Sequence, residues 1–212
     1  MSDALDDILS QIPKRFFTRP KKLLRRLELA YTVGVPPLLV VPMTDLLNES
    51  AGHSFHIGTP DPEMRRIASW IFTTVTDDHY RLREIISALW ERNGREDLKL
   101  VGLLLANLKG AEGSTNPWEI FNELIVMRRS LALEVVLEIA EEMARGGNTA
   151  PEDEVLMVWA QQGKIAHQCA VLVLTLRRDS TLPVELIRTA PEGGELFERI
   201  RTHLLQGDIQ DT

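Results

Sequence analysis

From residue 61 onward, apolar residues recur at the three- and four-residue spacing of a helix, and turn residues interrupt them at regular intervals. That rhythm limits the fold more than any other feature of the chain. Asp61-Pro62 reads as a helix start running through Met64, Ile67, Ala68, Ile71 and Phe72. Asp77 reads as the start of the next helix, which carries Leu82, Ile85, Ile86, Leu89 and Trp90 and ends in the left-handed cap signal Asn93-Gly94. A third helix, Arg95 to Leu108, follows after so short a turn that it must run antiparallel to its predecessor. The arrangement recurs: Asn116-Pro117 into Leu124 and Ile125, then Ser130 as a cap for a helix to Ala144; Pro151 to Gln162 with Lys164 to Arg178; Pro183 to Ala190 with Glu195 to Gln206.

Helix pairs at a period of about 30 to 45 residues predict an all-α fold, an α-solenoid of antiparallel helix pairs of the HEAT/ARM-like kind. A compact irregular helical bundle is the alternative. The whole chain, 1–212, reads as a single helical-repeat domain with the repeats over 53–206. Residues 1–52 form an N-terminal segment of open structure. Arg19-Pro20 begins a helix to Tyr31, Val35-Pro36-Pro37 breaks it, and Leu38 to Val41 fits helix or strand.

Composition removes several classes. With 44% hydrophobic and 26% charged residues the chain is neither disordered nor a disulfide scaffold. The single cysteine, Cys169, cannot close an internal disulfide and fits a reducing, cytoplasmic setting. No apolar run reaches the length of a membrane span, and the N-terminus has no signal-peptide pattern. The net charge of −7 gives no global attraction to nucleic acid, so DNA binding requires a locally basic face.

Ordinary catalytic signatures are absent: there is no phosphate loop, nucleophile elbow or dinucleotide fingerprint. The histidine pair His53 and His56 has no cysteine or acid at ligand spacing, so no metal and no cofactor is expected. The sharpest charge feature is Lys14, Arg15, Arg19, Lys21, Lys22, Arg25 and Arg26, uninterrupted by an acid until Glu28. It reads either as a phosphate-binding face or as a solvated face paired with the acidic remainder of the chain. Glu134, Glu138, Glu141 and Glu142 read as a solvated acidic row, and Trp70, Trp90, Trp118 and Trp159 as core residues.

The stretch from His56 to Arg66, containing Gly58, Pro62, Glu63 and Arg65, is followed by Leu89-Trp90-Glu91 and then by Arg95-Glu96. In order and spacing these motifs resemble the DNA alkylation-repair glycosylases of the AlkD-like HEAT family. The similarity continues through Glu123-Leu124-Ile125-Val126 and from Trp159 to Leu176. The resemblance implies a concave basic face cradling duplex DNA and excision of positively charged alkylated purines. It also implies aromatic side chains and a carboxylate at the lesion's sugar, with an arginine on the nearby phosphate.

Matched by order along the chain, the family's Trp-x-x-x-Asp helix falls on Ala132 and Val136, its arginine on Cys169, and its last aromatic near Leu204. A competing alignment places the aromatic on Trp118 and the acid on Asn122, an amide without the charge. Either way no catalytic residue is matched, and Glu119 and Glu123 are the fallback acids for an active glycosylase. The expected function is therefore a catalytically inactive or altered member whose concave face holds DNA or a protein partner; a regulatory scaffold is a further alternative. A basic strip of Arg128, Arg129, Lys164 and Arg177, with Lys14, Arg15, Lys21 and Lys22 beyond it, would favour DNA. An acidic or apolar strip would favour a protein.

Overall fold

The computed structural model of the chain describes residues 3–36, 53–75, 78–108, 116–128, 131–177 and 182–210. Among the described residues there are eleven α-helices, one 3-10 helix and no strand, so the chain is all-helical. Packing groups it into two compact units, Met1–Leu104 and Leu105–Thr212. The expected cap Asp77, the cap Ser130 and the segment Leu38 to Val41 lie outside the described residues.

The first unit contains α1 (Ala4–Ser10), a 3-10 helix (Lys14–Thr18), α2 (Pro20–Tyr31), α3 (Asp61–Val75), α4 (His79–Arg92) and most of α5 (Arg95–Asn107). Helix α1 lies in the N-terminal stretch before Arg19, to which no element is assigned from the sequence. The Asp3 side chain caps it by accepting from the Leu5 N–H at 2.9 Å, and Arg66 on α3 ties it down through Asp3 at 3.0 Å and Asp6 at 2.8 Å. Proline at the first position starts α2, whose inner stripe is Leu23, Leu24, Leu27, Ala30 and Tyr31. That stripe packs on α1, α3 and α4. Asp78 caps α4 by accepting from the Arg81 N–H, and Asn93 closes it in the left-handed conformation, φ 61°.

Gly94 follows Asn93 for a reason unconnected with φ. A Cβ there would lie 2.0 Å from the Phe55 ring. Glycine is required because an aromatic face rests on the backbone. Helix α5 is then buried around its whole circumference from Leu100 to Leu105, a stretch without a polar side chain.

The second unit contains α6 (Pro117–Val126), α7 (Leu133–Arg145), α8 (Asp153–Ala160), α9 (Lys164–Leu174), α10 (Val184–Arg188) and α11 (Glu195–Gln210). Asn116 caps α6 as expected, accepting from the Trp118 N–H at 2.9 Å. At its centre is α9, against which α6, α7, α8, α10 and α11 all pack; every residue from Ala166 to Leu174 is buried. Its two polar residues are satisfied from the surrounding chain. His167 Nε2 lies 2.8 Å from the Leu186 carbonyl, and the Gln168 amide donates to the carbonyls of Pro191 and Glu192. The Trp118 and Trp159 rings lie 6.4 Å apart, and the Asn122 amide donates to Gln162 at 2.8 Å. The end of α8 and the turn after it thus lie beside α6.

Candidate functional site

Two of the motifs that carry the family resemblance, the His56 to Arg66 stretch and Arg95-Glu96, meet inside the first unit. Glu96, only 3% exposed, accepts through Oε1 from the backbone N–H groups of Ile57 at 3.0 Å and Gly58 at 2.8 Å. One motif thus clasps the other. His56 joins the same carboxylate, its Nε2 lying 3.9 Å from Oε1. Glu96 lies 40 residues from His56 along the chain, which is why no acid stands at ligand spacing in the sequence, and His53 of the same segment is buried.

Beside the clasp is a second polar cluster that the sequence did not disclose. Asp97 is fully buried and accepts from Arg92 through Nε at 2.6 Å and Nη2 at 2.5 Å, and from the Tyr31 hydroxyl at 2.9 Å. Burial raises the Asp97 carboxyl above the ordinary carboxylate range despite the Arg92 fork, and burial followed by the Asp97 charge raises the Tyr31 hydroxyl well above its usual value. Arg92 also lies over the Phe55 ring at 5.1 Å and reaches α2 through the Leu24 carbonyl and Glu28. These groups hold α2, α4 and α5 together. Their spacing in sequence offered no signal beyond two acids at the start of an apolar helix.

Of the positions that fall in sequence order on the family's catalytic residues, Val136, Cys169 and Leu204 are buried. Val136 and Cys169 each have 0% exposure, on α7 and α9, and burial pushes the Cys169 thiol far above its ordinary range. Ala132 is half-buried at the N-cap of α7, where no side chain caps the helix, and Leu204 is buried on α11. Under the competing alignment Trp118 is buried against Trp159, and Asn122 is half-buried. Glu119 and Glu123 are exposed on α6.

The expected cations are unequal. Arg177 is drawn onto Asp153, with its side chain 12% exposed, and Arg128 is half-buried. Arg129 lies outside the described residues. Lys164 is exposed. On the 3-10 helix and α2, by contrast, Lys14, Arg15, Arg19, Lys21, Lys22, Arg25 and Arg26 are all exposed, and none forms an ion pair among the described residues. Glu28, the acid nearest to them, is taken by Arg92 at 2.6 Å.

Charge is divided between the units. Met1–Leu104 carries fourteen Lys and Arg against fourteen Asp and Glu, while Leu105–Thr212 carries ten against seventeen, which is the whole net −7. Within the second unit the acidic row is less solvated than expected: Glu142 turns inward, 6% exposed, and pairs with Arg145. Of the four tryptophans, three are buried and Trp70 is half-buried against Phe17, their centroids 5.1 Å apart. Among the described residues no helix is long and apolar enough to cross a membrane.

The model of one protein family, described as DNA alkylation repair enzyme, matches residues 52–193. No curated protein and no solved structure gives a significant match.

Proposed function

The chain belongs to the DNA alkylation repair enzyme family, and from that premise we propose a DNA-repair-related helical protein that grips duplex DNA by its phosphates without excising alkylated bases. The observation that carries this reading is the interior placement of Val136 and Cys169. Base excision through a cationic sugar needs an anion beside the sugar and a cation beside the phosphate, aimed at solvent-accessible DNA. At the two matched positions this chain has an alkyl group and a neutral thiol, both enclosed by packed helices. Loss of one such electrostatic group commonly costs about a hundredfold to a thousandfold in rate.

Binding is assigned to the face of Lys14, Arg15, Lys21, Lys22, Arg25 and Arg26, whose exposure, with no ion pair among the described residues, leaves it able to replace counterions on DNA. In this reading its cations contact phosphates, which position the duplex and carry no sequence information. A groove strip built from Arg177 is not part of this reading, since Asp153 already holds that guanidinium.

Two measurements test it together. In a single-turnover assay with enzyme in excess, duplex DNA carrying a cationic alkylpurine should lose the base no faster than free DNA. In a salt titration of duplex binding, the combined variant Lys21→Glu, Lys22→Glu, Arg25→Glu and Arg26→Glu should lower the slope of log K against log salt by about three to four units, at roughly 0.9 per phosphate contact. Excision above the free-DNA rate, or an unchanged salt slope, overturns the proposal.

A further inference from the structure

The second unit carries a surface for which excision and phosphate binding have no use. Helix α8 buries only Leu156 and Trp159, yet exposes Val155 at 42%, Met157 at 49% and Val158 at 53%. Three large apolar side chains exposed on one short helix are an unusual concentration for a surface held against water. Val155 and Val158 fall at helical spacing on one edge of α8, Trp159 near its end packs on Trp118 of α6, and Gln162 in the turn beyond bonds Asn122 of α6, so the end of α8 is a neighbour of α6. Glu119, three residues before Asn122, stands on the same side of α6, and Glu154 lies between Val158 and Met157 around α8. Both glutamates are exposed, as are Glu123 and Glu152. An apolar strip with an acidic rim, in a unit of net charge −7, is shaped for a basic amphipathic helix.

Helix α2 buries its apolar stripe in the first unit, but its outward side is basic and carries one exposed leucine. The outward stripe of α2 runs through Lys22, Arg25, Arg26 and Leu29, and Leu29 is 52% exposed amid those cations. Its charge is opposite to that of the α6–α8 rim, and its exposed leucine supplies the apolar contact that the strip lacks. We propose that the α6–α8 face of one copy of this chain receives helix α2 of a second copy, in a head-to-tail contact. This goes beyond the DNA-binding reading and does not depend on it. The contact is heterologous, since the two patches differ.

Sedimentation of the full chain tests this in the absence of DNA. The average mass should rise above the 24.0 kDa monomer with concentration at about 0.05 M salt and fall back at about 0.5 M, because charges at such a rim are screened. Two variants, each checked for native helicity by circular dichroism, separate the ends: Lys22→Glu with Arg25→Glu and Arg26→Glu removes the helix side, and Val155→Lys with Val158→Lys removes the face. Each alone should remain monomeric. Mixed, they should form a one-to-one dimer and nothing larger, because one intact end of each remains. Leu29→Asp should mimic the first variant without reversing any cation. A wild-type chain that stays monomeric at every concentration, or variants that fail to complement each other, overturns the proposal. Duplex binding by the Val155→Lys and Val158→Lys variant, whose cations are untouched, reports separately on the DNA reading.

Discussion

Removing the Glu96 carboxylate should unlock the first unit. Its Oε1 holds two backbone N–H groups, at 3.0 and 2.8 Å, in a site only 3% exposed. Hydrogen bonds to a charged group are worth about 1.5 to 3 kcal/mol each, and a buried donor left unpaired costs about 1 to 3 kcal/mol. Glu96→Ala leaves both N–H groups without their acceptor, so a loss of about 3 to 5 kcal/mol is expected, a large part of the stability of a domain. Glu96→Gln keeps an acceptor at Oε1 but loses the charge, and it sets an amide where Oε2 has no hydrogen-bond partner among the described residues. Its cost should be about 2 kcal/mol. Urea denaturation, with the midpoint compared at constant slope, gives the totals. Hydrogen exchange at the Ile57 and Gly58 amides gives the local effect, and both should lose protection in Glu96→Ala. If the midpoint of Glu96→Ala matched that of the wild type, or if those two amides stayed protected, the clasp would not hold the unit together as argued.

Two other outcomes follow from the same unit. Gly94→Ala should lower the thermal midpoint, by an amount equivalent to about 1 to 3 kcal/mol, because its Cβ would meet the Phe55 ring at 2.0 Å; combining it with Phe55→Ala should remove most of the additional penalty in a double-mutant cycle. Asp61 is held below the ordinary carboxylate range, first by its hydrogen bond from Lys99 and then by Arg65. Its folded value lies below its unfolded one, so its contribution to stability is present above about pH 4 and disappears as the pH falls through the folded value. Acid titration of the denaturation midpoint should accordingly be shallower in Asp61→Asn below about pH 4.

What the sequence disclosed and what it hid divide along a physical line. Local rules were readable: the Asn93 left-handed cap, proline at the first position of α2, the Asn116 cap of α6 and the glycine after α7, where Gly147 adopts φ 85°. The interior position of α9 also had a local sign, since Ile165 to Leu174 offers no polar side apart from His167 and Gln168. Contacts between remote residues left no such trace. Gly94 looked like a turn residue, whereas the Phe55 ring is what requires it. The exposure of Lys21, Lys22, Arg25 and Arg26 could be read from the missing apolar residues, but the diversion of Glu28 to Arg92 spans 64 residues. The residues carrying the family resemblance were readable as motifs and hidden as mechanism, for Glu96 serves the backbone of Ile57 and Gly58 rather than a reaction.

The confinement of seven exposed, acid-free cations to thirteen residues of a chain with pI near 5.3 bears on how the protein behaves at a bench. A resin samples the local field within about a nanometre of its surface and not the sum over the chain. An anion exchanger meets the acidic unit and a cation exchanger meets α2, so the protein should be retained by both near neutral pH. Heparin retention belongs to the same effect. Elution of this chain from a polyanionic column would measure the density of α2 and would say nothing about a preference for damaged DNA.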